Sequence, residues 1–115
     1  MNRSILLMLG LLISCGDGGD TGDLDCREPP LSWENFGQGL MNRHCTGCHS
    51  SLLPEGMRGD APLGVDLETE EGFLAWADRV EARATGDNPT MPPGGGPAEV
   101  EVAQLEEYLR CTVWK

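Results

Sequence analysis

Two cysteines and a histidine lie together in the pentapeptide Cys45-Thr46-Gly47-Cys48-His49. Two thiols separated by two residues and followed at once by an imidazole form the pattern to which haem is covalently attached. Each thiol adds across one vinyl group of the porphyrin, and a short turn between the thiols brings both to one edge of the ring. A neutral imidazole is the usual proximal ligand of haem iron. The pattern therefore predicts thioether bonds from Cys45 and Cys48 and axial ligation by His49.

The same pentapeptide could also form a structural zinc site or a redox-active disulfide, or could arise by chance. A zinc site needs four ligands, and His44 could complete the set. Adjacent residues rarely converge on one tetrahedral ion, however. A thioredoxin-like CxxC opens a helix after a β-strand, and no strand pattern precedes Cys45. Haem attachment is favoured because the predicted compartment and a distant methionine agree with it.

The first residues have the pattern of a secretory signal. Met1 to Ser14 carry one positive charge, at Arg3, and an apolar run that is too short for a bilayer, which needs about 20 residues. Leu12-Ile13-Ser14-Cys15 resembles the lipobox of bacterial lipoproteins, in which the cysteine is diacylated and becomes the mature N-terminus. An ordinary signal peptide that happens to contain Cys15 is the alternative. We expect a lipid-anchored protein of the bacterial cell envelope that faces the periplasm, and Gly16 favours the outer over the inner membrane.

Composition divides the rest of the chain into a tether and one domain. Residues 15–31 begin with Cys15 and continue with Gly, Asp, Thr and Pro, which predicts a flexible acidic tether. Residues 32–115 form one small domain, near the lower limit at which an apolar core suffices by itself. The chain has two Phe, one Tyr and three Trp, and this small number leaves room in the core for a cofactor.

Helical periodicity predicts an all-α domain in which three main helices surround the haem and irregular loops connect them. The first helix should run from Ser32, which suits an N-cap, to about His44. The second should follow an N-cap at Thr69 and end near Gly86, and the third should begin at Pro97. The segment between the first two helices is predicted to be irregular, with a short extended piece at residues 61–67.

Gly37 falls on the apolar face of the first helix, where it costs about 1 kcal/mol of helix propensity relative to Ala. A neighbouring helix that passes close to it would account for the glycine. We expect this neighbour to be the last helix, in contact through Tyr108 or Leu109. His44 is predicted to be a packed or surface histidine, since it immediately precedes the attachment turn.

A second candidate ligand is Met91, which is followed by two prolines. Proline cannot continue a helix, so a stiffened loop should present the methionine side chain. Thioether sulfur is a soft ligand for haem iron, and a His/Met pair raises the reduction potential. Given the CxxCH motif, Met91 is predicted to be the distal ligand. The alternatives are Met57 in that role, a loop methionine that only packs, and a sixth site that is open or bound by histidine.

These segments together resemble a small class I cytochrome c: Cys45-Thr46-Gly47-Cys48-His49, Met91-Pro92-Pro93 and Leu105-Glu106-Glu107-Tyr108-Leu109. In that family the N- and C-terminal helices cross, the attachment turn follows the first, and a methionine loop precedes the last. The resemblance covers about Trp33 to Leu109 and implies one covalent haem c between His49 and Met91. The leader, the Gly-rich methionine loop, Cys26 and Cys111 depart from the family pattern.

Cys26 and Cys111 remain after lipidation and haem attachment have been assigned. They flank the domain, and in an oxidising compartment such a pair predicts a disulfide that ties the tether to the C-terminus. Two free thiols, or bonds to another chain, are the alternatives.

The chain is acidic, with a formal net charge of −11 at pH 7. Removal of the leader would take away Arg3 and no acid, which makes the mature protein still more negative. Nucleic acid is excluded as a partner because phosphate binding needs a basic surface. The acids either keep a small domain soluble or steer it toward redox proteins with basic docking surfaces.

The sequence thus predicts a membrane-anchored monohaem cytochrome c that transfers single electrons through an exposed haem edge and acts on no small-molecule substrate. One alternative is a haem enzyme, or a sensor of peroxide or a diatomic gas, with an open sixth site. The other is a zinc-stabilised interaction module.

Overall fold

The computed structural model describes residues 25–115, and each of its regular elements is helical. The three main helices are α1, which opens as a π-helical turn at Trp33–Gly37 and continues as an α-helix at Gln38–His44, α2 at Glu70–Ala84, and α3 at Glu99–Tyr108, which runs on into a π-helical turn at Leu109–Val113. A short 3-10 turn lies at Glu55–Met57 between α1 and α2. The all-α class is confirmed, and the predicted extended piece at 61–67 is not a β-strand.

The first two helices begin at the predicted caps. The Ser32 hydroxyl accepts the Asn35 N–H at 3.1 Å, and the Asn35 side-chain oxygen accepts the Ser32 N–H at 2.7 Å. These reciprocal bonds satisfy two donors that a helix start leaves unpaired. The Thr69 hydroxyl accepts the Gly72 N–H at 3.0 Å in the same way.

The third helix begins at Glu99, with Ala98 as its N-cap, rather than at Pro97. Alanine has no side-chain acceptor, and the Glu101 carboxylate takes over this role by accepting the Ala98 N–H at 3.1 Å. A carboxylate in the first turn also meets the positive end of the helix. The N-terminus of α3 is therefore capped by the side chain of Glu101, a residue inside the helix.

Aromatic rings from all three helices form the centre of the core. The Tyr108 ring lies 5.6 Å from the Phe73 ring and 5.7 Å from the Phe36 ring. Trp33 lies 5.7 Å from Phe73 and extends the cluster. At Gly37 a Cβ atom would lie only 3.2 Å from Tyr108 Cε1, so the close approach of α1 and α3 at this glycine is confirmed.

The segment just before α1 packs on the domain. The sulfur atoms of Cys26 and Cys111 are bonded, with their Cα atoms 5.8 Å apart, which is the predicted pairing. Arg27 binds both carboxylate oxygens of Glu107, at 2.7 and 2.9 Å, and Leu31 is buried. The domain therefore extends to Cys26, beyond the Ser32 boundary that composition predicts, because long-range bonds hold residues that could not form a core alone.

The leader Met1 to Ser14 and the predicted lipidation site Cys15 lie outside the described residues. Within residues 25–115, no helix is long and apolar enough to cross a bilayer.

Candidate functional site

The CxxCH motif forms a tight turn that continues directly from the buried end of α1. The Cys45 and Thr46 N–H groups donate to the Met41 carbonyl at 2.8 and 2.9 Å. The Cys48 and His49 N–H groups then donate to the Cys45 carbonyl at 3.1 and 2.9 Å. Since Met41 is only 1% exposed, the predicted short turn is anchored to the core.

Neither thiol of this turn belongs to a disulfide, and their surroundings differ. Burial raises the pKa of the Cys45 thiol to about 11, so this thiol stays protonated at neutral pH. Cysteines that act as nucleophiles or in redox exchange have lowered pKa values, which disfavours a thioredoxin-like role for the motif. Cys48 is exposed, and a Cβ at Gly59 would lie 3.1 Å from its sulfur, so the glycine keeps that sulfur uncovered.

The His49 ring is held by the loop between α1 and α2. Its Nδ1 lies 3.3 Å from the Val65 carbonyl oxygen, and the Leu67 N–H donates to the His49 carbonyl at 2.9 Å. A carbonyl can only accept, so Nδ1 carries the proton and donates it. The neutral ring then has its lone pair on Nε2, as a proximal iron ligand requires.

The same loop is organised by Arg58, which sequence reasoning did not single out. Its side chain is 3% exposed, and Nη1 donates to the Ser50 carbonyl. Nη2 contacts the Pro62 carbonyl at 3.0 Å, the Val65 carbonyl at 3.2 Å and the Asp66 carboxylate at 3.0 Å. One sequence signal could have pointed to it: between positions 43 and 79, Arg58 is the only Lys or Arg.

Met91 is presented by a loop, as predicted, and this loop is tied to the last turn of α2. The Thr90 and Met91 N–H groups donate to the Arg83 carbonyl at 2.8 and 2.9 Å. The Met91 side chain is 38% exposed and lines a cleft of about 70 Å³ that includes Ala84 and Val102. His49 does not line this cleft, so the pairing of Met91 with His49 across a haem stays a prediction. Met57, the alternative ligand, is 67% exposed on the 3-10 turn.

His44 packs against α3, as expected for a structural histidine. Its Nε2 lies 3.3 Å from the Glu101 carboxylate, and a Cβ at Gly96 would lie 3.2 Å from its Nδ1. Hydrogen bonds from the Ala98 N–H and then from Arg43 hold the pKa of Glu101 below its ordinary value. Across residues 25–115, no group of three or more His, Cys, Asp and Glu side chains is arranged to hold a metal ion, so the four ligands of a zinc site are not brought together.

Comparison with protein-family models, with curated proteins and with solved structures finds no match to this chain. The resemblance to class I cytochromes c therefore rests on the CxxCH turn, the methionine loop and the last helix. The donor set of the turn fits a covalent haem, since it offers two unpaired thiols and an imidazole whose Nε2 is available.

Proposed function

We propose that the protein is a monohaem c-type cytochrome that carries single electrons. Cys45 and Cys48 would hold the haem through thioethers, and His49 and Met91 would be its axial ligands. The observation that carries the proposal is the His49 Nδ1 contact with the Val65 carbonyl at 3.3 Å, directly after a CxxC turn. This contact selects the tautomer that a proximal ligand needs.

Haem would supply a one-electron couple, and the protein's own residues would keep it a carrier rather than a catalyst. The His49 ring bonds to the Val65 carbonyl, and the His49 backbone carbonyl accepts the Leu67 N–H. The position of His49 should therefore change little between the oxidised and reduced states. Met91 in the sixth position would keep small molecules away from the iron. The acidic surface would steer the domain toward basic redox proteins, with a rate that falls as salt is added.

Haem attachment is tested by expressing the full chain with a haem-ligating system and staining for haem after denaturing electrophoresis. The stain should remain on the polypeptide, because only thioether-linked haem survives denaturation. Cys48→Ala should give apoprotein or a one-bond product in poor yield. The double variant Cys26→Ser with Cys111→Ser is the matched control, since it loses two cysteines outside the motif and should keep the stain. An unstained wild-type chain would refute the proposal.

Carbon monoxide separates a carrier from an enzyme or sensor. The reduced wild-type protein should not bind carbon monoxide readily if Met91 occupies the sixth position. Rapid formation of a carbon monoxide adduct would instead assign the protein to the sensor or enzyme class. This measurement is made by absorption spectroscopy on the haem-loaded protein.

We propose further that Cys15 carries the lipid that anchors the domain in the bacterial envelope, facing the periplasm. Cys15→Ser should move the protein from the membrane fraction to the soluble periplasmic fraction. Unchanged retention of this variant in membranes would contradict the lipoprotein assignment. The same fractions, separated by density, report whether the outer membrane is the site, as Gly16 predicts.

A further inference from the structure

We propose that Arg58 is a positioning residue that acts on His49 through the Val65 carbonyl and raises the reduction potential of the protein. This inference rests on the proposed function, because it takes His49 as the axial ligand. It adds a second residue, outside the CxxCH motif, that sets how strongly this ligand favours oxidised or reduced iron.

The proposal is argued from the Val65 carbonyl oxygen, which lies within hydrogen-bond distance of two donors. Val65 O lies 3.3 Å from His49 Nδ1 and 3.2 Å from Arg58 Nη2. A carbonyl oxygen has two lone pairs, so it can accept both bonds at once. The guanidinium and the imidazole are therefore neighbours that share one acceptor. Arg58 makes further bonds to Ser50, Pro62 and Asp66, and the backbone carbonyl of His49 accepts the Leu67 N–H.

The shared acceptor weakens the bond to His49. Hydrogen bonds from a charged donor are about twice as strong as those between neutral groups, so Arg58 takes more of the electron density of the Val65 oxygen. His49 then donates to a poorer acceptor, and its ring has less negative character. Because a more basic ligand stabilises oxidised iron, this weaker bond should raise the potential.

The charge of Arg58 acts in the same direction. The side chain is 3% exposed, so water screens it little, and a buried positive charge disfavours the more positive, oxidised site. Asp66 binds Arg58 at 3.0 Å and partly cancels this charge, but its side chain is 26% exposed and better screened. Arg58 Nε has no hydrogen-bond partner among residues 25–115, and the one carboxylate in that range that hydrogen-bonds the guanidinium is that of Asp66. The Glu68 carboxylate interacts with Arg58 electrostatically and opposes its charge more weakly, since this is the smallest of the causes that lower the Glu68 pKa.

The first test is the midpoint potential of Arg58→Gln in the haem-loaded protein. We expect at least a tenfold shift of the one-electron equilibrium toward the oxidised form, which is a fall of about 59 mV. Arg79→Gln is the matched control, because it removes the same charge from an exposed position on α2. Its shift should be less than threefold. Equal shifts in the two variants, or no shift in Arg58→Gln, would overturn the proposal.

A second pair of variants distinguishes positioning from mere support of the loop. Asp66→Asn removes the hydrogen-bonded counter-charge and leaves the guanidinium, so the midpoint potential should rise. If Arg58 only supported the loop, Asp66→Asn would loosen the loop as Arg58→Gln does, and the midpoint potential would fall in both variants. Arg58→Lys keeps the charge but not the planar fork, and should give a potential between wild type and Arg58→Gln. If Arg58→Gln yields no holoprotein, the midpoint potential of Asp66→Asn tests the proposal instead. A higher potential than wild type supports it, and an equal or lower potential contradicts it.

Nuclear magnetic resonance of the reduced protein with ¹⁵N-labelled histidine gives a readout that does not depend on electron transfer. The chain has two histidines, so His44 serves as an internal reference. The His49 Nδ1–H proton should move downfield in Arg58→Gln, as its bond to Val65 strengthens, while His44 stays unchanged. Failure of haem staining would reject the proposed function itself, whereas a stained protein with unchanged His49 resonances and potential would reject only the role of Arg58.

Discussion

Gly37→Ala should destabilise the protein, although alanine is the better helix former. Gly37 lies in the first turns of α1, where the last helix crosses it. A Cβ atom there would lie 2.8 Å from Trp33 Cε3 and 3.2 Å from Tyr108 Cε1. Both distances are shorter than ordinary carbon contacts of about 3.5 to 4.0 Å, so at least one ring would have to move.

Neither ring has room to move. Tyr108 is 1% exposed and packs against the rings of Phe73 and Phe36, and Trp33 also packs against Phe73. Overpacking of a core of this kind costs about 1 to 3 kcal/mol. The gain in helix propensity on replacing glycine by alanine is about 1 kcal/mol. We therefore expect Gly37→Ala to lower the free energy of unfolding by about 1 kcal/mol, and Gly37→Leu to lower it by about 1 to 3 kcal/mol.

Gly39→Ala is the matched control because it lies in the same helix and faces a different neighbour. A Cβ there would meet only Arg43, with the terminal nitrogen at 3.0 Å, and this exposed side chain can shift. Its bond to the Glu101 carboxylate is a surface ion pair, so weakening it costs at most about 1 kcal/mol. Gly39→Ala should therefore stabilise the protein by up to about 1 kcal/mol. Urea unfolding of the haem-loaded proteins gives both values. If Gly37→Ala is as stable as Gly39→Ala, the close crossing of α1 and α3 is refuted.

Other perturbations test other parts of the molecule. Replacing Cys26 and Cys111 by serine opens a link between positions 85 residues apart, and should lower the free energy of unfolding by about 2 to 4 kcal/mol in urea; a loss below about 1 kcal/mol would show that the link adds little. Met91→Ala should keep the covalent haem, lower the potential and admit carbon monoxide, and an unchanged spectrum would exclude Met91 as ligand. Arg27 holds the pKa of Glu107 below its ordinary value of 4.5, so the folded state binds fewer protons than the unfolded state. Stability should therefore be lost as the pH falls below about 4.5 through the folded-state pKa, and Glu107→Gln should flatten the curve of unfolding free energy against pH in that range.

Local signals in the sequence predicted the helices well. Ser32 and Thr69 are caps because their hydroxyls meet N–H groups three residues further on, which needs no information from the rest of the fold. The spacing of apolar residues placed Gly37 on the inner face of α1. Because a glycine on an apolar helix face usually marks close packing, the contact with Tyr108 could also be predicted.

Features that depend on how a loop folds, or on residues far apart in the chain, were predicted less well. Arg58 is a single charged residue in a loop, and only the folded chain shows that carbonyls from Ser50 to Val65 surround it. The packing of Leu31 against the domain was missed for a related reason, since the composition around it is that of a tether. Met91 is the corresponding case in the candidate site, because the cleft that it lines includes Ala84 of α2 and Val102 of α3, and no sequence spacing specifies these two residues.

Stability and reduction potential should be separable properties in this protein. The aromatic cluster joins the helices to one another, whereas the His49 ring is fixed by Val65 in the loop that Arg58 organises. The core reaches the attachment turn through the Met41 carbonyl, which accepts the Cys45 N–H, and through the buried Leu67, whose N–H donates to the His49 carbonyl. Both are contacts between backbone atoms, whereas the imidazole is bonded to Val65. Gly37→Ala should therefore lower the free energy of unfolding and leave the midpoint potential within a few millivolts of wild type, since a potential is set by the ligand and its nearest charges. Arg58→Gln should shift the potential whatever its effect on unfolding. If the midpoint potential instead fell in proportion to the free energy of unfolding in both variants, the loop and the aromatic core would act as one unit. The contact at Val65 would then have no separate effect on the potential.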